Sequence, residues 1–234
     1  GYLGYSDFFM KFTSWSCLGL SASPYKLTLK GIPDNVSDES RYSNIFENQL
    51  PRKSLMGKIL PASSLFAVSF PVSSMHEFLK SHNLYLEMQK KAGHFAVKQK
   101  NAQGENKTAP REWVDSLAIE EIVSAYCKFG EKCEWITLIR EKQQFGLNNV
   151  ISSVVERDKI GESEPFRYKG YIASVFGDIF SNCNEEFMCK VGQWTVIGPK
   201  AAVDEFSSGR ATYFTLEDYI GQTPVKGYLE QEAS

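Results

Sequence analysis

Period-two alternation is clearest over residues 25–30, where Tyr25, Leu27 and Leu29 alternate with Lys26, Thr28 and Lys30. A strand with one dry and one wet face has this pattern. Pro24 and Gly31 punctuate it, and residues 15–21 read as a preceding strand, so a hairpin is predicted within a β region spanning 5–31. Residues 34–57 are mostly polar, with a helix expected near 40–49 and Asp38 or Ser40 as its cap. The apolar run 65–72, ending in Pro71, predicts a buried strand. Ser73 and Ser74 then offer N-cap oxygens, and Met75, Phe78, Leu79, His82 and Leu86 recur at helical spacing, which predicts a helix over 74–91 ended by Gly93. Residues 98–110 carry charge and breakers without apolar period and are expected to form a solvated loop.

Residues 121–129 and 133–140 read as two strands around a Gly130-Glu131-Lys132 turn, with Cys133, Trp135, Thr137 and Ile139 on one face. Leu147, Val150, Ile151 and Val154 fall at i, i+3, i+4, i+7 and predict a helix. The aromatic stretch 166–180 gives no clear assignment. Residues 186–198 predict two strands turning at Gly192. Pro199 suits the first turn of a following helix, with Ala202, Val203 and Phe206 as its apolar face and Gly209 as its C′ residue. A final short helix starts at Thr215, capped with Asp218, with Leu216, Tyr219 and Ile220 turned inward. Hairpins outnumber long crossovers, so the fold class is α+β with a largely antiparallel sheet and a few packed helices. The reading is a single domain over 1–234, or two similar lobes divided at the 98–110 loop. Strand-then-helix recurs near 65–91, 133–155 and 193–208, a hint of duplication without matching residues.

Composition narrows the function classes. Twenty-six basic residues against 28 acidic ones give a net charge of -2 over 234 residues, which lacks the basic excess of a nucleic-acid footprint or a polybasic membrane patch. No apolar run approaches the roughly 18 residues of a membrane span. Neither a phosphate loop, a Gly-x-Ser-x-Gly elbow nor a His-Glu-x-x-His pair occurs. His76 and His82 lie six apart, on opposite sides of a helix. His82 falls in the apolar stripe and reads as a hydrogen-bonded core-edge histidine rather than a general base. The acidic pairs Glu120-Glu121, Glu185-Glu186 and Glu217-Asp218 read as solvated charge rather than as a glycosidase pair. No catalytic, cofactor-binding or metal-ligating residue is assigned, and no cofactor is expected.

Two cysteine pairs share one spacing, Cys127 with Cys133 and Cys183 with Cys189. Five intervening residues are too many for a zinc knuckle. Two local disulfides, with turns at Gly130 and Asn184, and reduced buried thiols are both open, as are bridges between the two segments. Cys17 reads as a small buried apolar residue. Trp15, Trp135 and Trp194 sit in predicted strands and are expected in the core, whereas Trp113, beside Pro110, Arg111 and Glu112, is the tryptophan expected to be partly exposed.

Several segments carry a resemblance: Trp15-Ser16-Cys17-Leu18 with Leu27-Thr28-Leu29-Lys30-Gly31-Ile32, then Gln49 before Lys58-Ile59-Leu60-Pro61-Ala62-Ser63-Ser64. Gly192-Gln193-Trp194-Thr195-Val196-Ile197-Gly198, Ala201-Ala202-Val203-Asp204-Glu205-Phe206 and Thr215-Leu216-Glu217-Asp218-Tyr219 complete it. Together they resemble an uncharacterised family of extracytoplasmic proteins from Bacteroidetes, many of them predicted lipoproteins and longer than this chain. The resemblance implies a periplasmic or cell-surface setting, a lipid anchor outside this chain, and disulfides among Cys127, Cys133, Cys183 and Cys189. It also gives the acceptor pattern Asp115-Ser116-Leu117 a reading as an O-glycosylation site. The family has no assigned activity, so no catalytic residue carries over. The function expected is a non-catalytic extracytoplasmic module that binds a protein or glycan partner or serves a structural role. The alternative is a carbohydrate-active or other hydrolase with a loop-assembled site.

Overall fold

In the computed structural model the described residues are 15–23, 26–34, 41–104, 106–142 and 161–222, with residues 15–34 described by their backbone alone. The predicted N-terminal hairpin forms: β1 (Trp15–Ser23) and β2 (Lys26–Asp34) make a two-stranded antiparallel sheet of their own, with Leu20 opposite Leu29 and Ala22 opposite Leu27. The caps Asp38 and Ser40 and the helix expected over 147–154 lie outside the described residues. Where a helix was expected near 40–49, a 3₁₀ turn covers Tyr42–Phe46 with no side-chain cap.

Six strands form the central sheet: β3 (Ser64–Pro71), β4 (Ile119–Phe129), β5 (Lys132–Glu141), β6 (Glu164–Pro165), β7 (Phe187–Val191) and β8 (Trp194–Gly198). Every pairing is antiparallel, and the spatial order is β3-β4-β5-β8-β7-β6. The fold is therefore α+β, as the abundance of hairpins implied. The order reads the same way inward from each edge: an outer strand, a middle strand, and a hairpin return to the centre. The two halves meet where β5 pairs with β8. Both hairpins turn in two residues, Gly130-Glu131 between Phe129 and Lys132, and Gly192-Gln193 between Val191 and Trp194. The first turn is one residue tighter than expected. Gly130 at φ +60° and Gly192 at φ +58° occupy the first central position, where only glycine turns without strain.

Helices cover both faces. On one lie α1 (Met75–Met88), α2 (Ala92–Gln103), α3 (Pro110–Ser116) and α4 (Tyr171–Phe176); on the other lies α5 (Lys200–Ser207). The first core joins Phe78, Leu79 and Leu86 of α1 to Phe70, Ile122, Ile139 and Ile197 of the sheet. The second joins Ala202, Val203 and Phe206 of α5 to Val123, Ala125, Ile136, Leu138 and Val196. Alternate residues of β4, β5 and β8 therefore feed different cores, which is why these strands read as nearly continuous apolar runs. No helix among the described residues is long and apolar enough to cross a membrane.

Ser74 caps α1 by accepting from the Glu77 N–H at 3.3 Å, as its sequence position suggested. The far end differs from expectation. α1 stops at Met88, and Lys90 takes the left-handed conformation at φ +55° while the Lys91 N–H closes on the Leu86 carbonyl. This is a Schellman closure with lysine in the glycine's usual place. Gly93 lies inside α2, and most of the loop expected over 98–110 is the remainder of α2 followed by the start of α3. The sequence signal for α2 is weak because one large apolar side chain, Phe95, anchors it in the core. Gly177 lies against that ring, and Gln99 donates to the Ser174 carbonyl at 3.3 Å.

Pro199 stands at the N-cap of α5, one residue ahead of its expected place, and Gly209 follows the helix at φ +75°. α6 (Leu216–Gln222) opens with the expected reciprocal cap: Thr215 donates to Asp218, and the Asp218 N–H returns to Thr215 Oγ1 at 3.3 Å. Leu216 packs inward, but Tyr219 and Ile220 are more than half exposed. The helix meets the body along the side that faces Gly57, with the Pro61–Thr215 bridge at its start.

Candidate functional site

Ionisable groups inside the fold gather at two corners of the sheet. At the first, β4 carries a bulge at Glu120: Ile119 lies opposite Glu141 while Glu121 lies opposite Arg140. Just before it, Ala118 sits at φ +47°, a conformation costly for a residue with a Cβ. A bulge re-aims side chains, and here it brings two successive glutamates to one guanidinium. Arg140 bonds Glu120 through Nη1 and Glu121 through Nε, and Arg52 reaches Glu120 at 3.0 Å. The Glu121 carboxylate also accepts from the Ser54 and Ser69 hydroxyls and from the Leu55 N–H. The Trp194 ring lies 5.9 Å from the Arg140 guanidinium carbon. This corner clamps β3, β4, β5 and the 52–55 segment together.

At the second corner, the 181–186 loop lies over β5 and β8 on the face covered by α1 to α4. Glu185 is buried, and its Oε2 accepts from the Gly170 N–H at 2.7 Å. Its Oε1 has no hydrogen-bond partner, and neither has the buried Thr137 Oγ1. Burial pushes the Glu185 carboxyl up to about 7, opposed in part by the Gly170 N–H. The Cys183 thiol lies between Thr137 and Glu185 and donates to the Ile197 carbonyl at 3.4 Å. Burial pushes this thiol up to about 12, so it is a neutral thiol at physiological pH rather than an activated nucleophile.

The acidic pairs thus divide. Glu120 and Glu121 are bound to cations, Glu185 is buried beside a half-buried Glu186, and Glu217 and Asp218 are exposed on α6. The reading of solvated charge holds for the last pair and fails for Glu121 and Glu185. A glutamate inside an apolar strand was the available signal for Glu121; naming Arg140 as its partner needed the strand register. His82 is buried among Tyr42, Phe78, Tyr85 and Phe95, all with ring centres within 6.4 Å. Burial, with the charge of Arg111, lowers it to about 4, so it is neutral. His76 is exposed.

The cysteines correct the disulfide expectation. Cys127, Cys133, Cys183 and Cys189 are all free. Cys127 lies opposite Glu134 and Cys133 opposite Lys128, so alternation sends the two sulfurs to different faces. Cys189 donates to the Val203 carbonyl on the α5 face at 3.7 Å, whereas Cys183 contacts Thr137 on the other. Bridges between the segments fare no better. Cys127 and Cys189 share a face but stand three strand spacings apart, about 14 Å, and Cys133 is four residues from Thr137 along β5, about 13 Å. Disulfide partners need Cα atoms within about 7 Å. Burial pushes the Cys127 and Cys189 thiols up to about 12 as well. No group of three His, Cys, Asp or Glu among the described residues could hold a metal.

Of the tryptophans, Trp194 is buried, and Trp135 is half-buried against Tyr126 and Phe66 at 5.0 and 6.0 Å. Trp113 is half-buried and packs on Tyr168 at 5.0 Å, with Phe166 and Tyr171 beside it. Trp15 and Cys17 lie on β1, where side chains are not described. Ser116 is exposed at the end of α3, and its hydroxyl donates to the Trp113 carbonyl at 2.7 Å.

No protein-family model, no curated protein and no solved structure matches the chain.

Proposed function

We propose that the protein is a non-catalytic extracytoplasmic module that binds a protein or glycan partner or forms a structural part of a secreted or surface protein. The observation that supports this reading is the state of its interior ionisable groups. Glu121 and Arg140 are tied to each other and to three strands. The buried thiols are held neutral, and so is His82. General acid–base and nucleophilic catalysis need the opposite: a base near its working pKa within reach of an activated nucleophile. The extracytoplasmic setting and a lipid anchor outside this chain rest on the family resemblance alone. Free thiols lend that setting no support, since disulfides are what an oxidising compartment favours.

A second reading, a hydrolase with a loop-assembled site, draws on one observation. Glu185 titrates near neutrality beside Cys183 and Thr137. One experiment separates the two. The folded protein is assayed against panels of chromogenic esters and glycosides, with Glu185→Gln and Cys183→Ser beside it. The module reading expects no turnover above buffer; turnover that either substitution abolishes would overturn it.

A further inference from the structure

The two edges of the central sheet are finished differently. β6 is Glu164 and Pro165 alone, and it combines the short length, charge and proline that keep an edge from pairing. β3 runs over eight residues, and Ser64–Pro71 holds no charged side chain. Its bulge, at Leu65, and its proline, Pro71, stand near its two ends. The Val72 N–H donates to the Glu120 carbonyl at 2.8 Å. Alternation therefore turns the main-chain groups of Phe70, Val68 and Phe66 towards β4, and those of Ala67, Ser69 and Pro71 away from it. No main-chain bond among the described residues reaches the outward N–H or carbonyl of Ala67 or Ser69. The 52–55 segment meets this part of the strand through side chains, Ser54 Oγ lying 3.1 Å from Ser69 Oγ on the face that Val123 shares. Phe66 and Val68 are half-buried against the first core and Ala67 against the second, so both apolar layers stop part-covered at this edge.

We propose that β3 is a dimerisation strand, which pairs antiparallel with the β3 of a second copy of this chain across a two-fold axis near Val68. About that residue the strand reads nearly the same in both directions, Phe66-Ala67-Val68-Ser69-Phe70. Two-fold pairing sets residues equally far from the axis opposite one another. Ala67 meets the partner subunit's Ser69, and each exchanges N–H and C=O with the other, so outward-facing groups meet outward-facing groups. Phe66 meets the partner subunit's Phe70, an aromatic cross-strand pair. An isologous contact also brings a strand's charges close to their own copies, and this strand has none to oppose. The half-buried Phe66, Ala67 and Val68 lose exposure as two six-stranded sheets become continuous. Pairing with a different protein asks for an open edge but not for this symmetry, and the symmetry is what favours a second copy.

Sedimentation equilibrium of the full chain, with hydrogen exchange followed at Ala67 and Ser69, tests the pairing. With rising concentration the mass is expected to move from 26.4 kDa towards twice that value. Protection at these two amides should rise with it, while the Val68 amide, turned towards β4, stays protected throughout. Ala67→Pro removes an N–H that no main-chain acceptor within the subunit uses, and Ala67→Lys brings like charges together beside the axis. Each should weaken the dimer by about tenfold or more and leave Val68 protected. If one variant does not fold, the other and the native exchange data carry the test. A monomer up to about 0.1 mM would overturn the self-pairing and leave the edge to an extended segment of another protein. A dimer whose Ala67 and Ser69 amides exchange freely, or folded variants that associate as the native chain does, would overturn it as well.

Discussion

Arg140 is the residue on which the first corner depends. It is almost wholly buried, and its two carboxylate partners come from consecutive positions that a regular strand would point to opposite faces. Removing it leaves the fully buried Glu121 with hydroxyl and amide donors but no cation. Arg140→Met is expected to cost about 3–5 kcal/mol, because an uncompensated buried charge is worse than an apolar pair. The double variant Arg140→Met with Glu121→Leu should recover much of that loss, and urea titration of both checks it. A recovery of zero would mean that the pair does not act as a unit. Two glycines, Gly130 in the first hairpin turn and Gly198 at the end of β8, behave differently. At Gly130 a Cβ has open space around it, yet φ is +60°, so Gly130→Ala should lose about 1 kcal/mol through backbone strain alone. At Gly198 a Cβ would stand 3.0 Å from Ile136 Cγ2, so there the loss comes from crowding in the α5 core.

Among the elements, α2 shows most clearly what a sequence pattern conveys and what it omits. Its twelve residues hold one buried apolar side chain, and the segment reads as polar linker. Phe95→Ala should therefore release α2 without dismantling the sheet. Amide exchange over 92–103 is expected to accelerate while the strands keep their protection, and a uniform loss across the molecule would contradict that. By contrast α1, α5 and the β4–β5 hairpin were legible beforehand because local pattern and tertiary role agree: Ser74 caps, Phe78 and Phe206 bury, and Gly130 turns. Residues 166–180 resisted assignment because α4 is one and a half turns long and framed by Gly170 at φ +78° and Gly177 at φ +94°, too short to show a period. The candidate site was less legible still. Glu121, Glu185 and Cys183 were visible as residues, but Arg140, Gly170 and Thr137 become their neighbours only through strand register and loop placement.

For the molecule as a whole, two buried groups set the response to pH in opposite senses. Glu185 has its folded value raised from 4.5 to about 7, so its contribution is present below 4.5 and lost as pH rises through 7. His82 has its folded value lowered from 6.5 to about 4, so its contribution is present above 6.5 and lost as pH falls through 4. Each shift corresponds to roughly 3 kcal/mol, and the slopes cancel where the windows overlap. As far as these two groups decide it, stability should be level between 4.5 and 6.5. Glu185→Gln unmasks the histidine, giving stability that climbs with pH through that interval. His82→Phe unmasks the carboxyl, giving stability that declines. Urea midpoints at three pH values distinguish the cases, and parallel profiles for both variants would refute the opposition.

The mirrored strand order also governs how the chain can be made. β5 is complete before its second neighbour, β8, which emerges last among the described strands. Until Trp194 leaves the ribosome, the nascent first half presents Thr137, Leu138, Ile139 and Arg140 along an edge that lacks its partner strand β8. A protein ended before β8 should therefore self-associate in proportion to its concentration, which sedimentation at several concentrations would register.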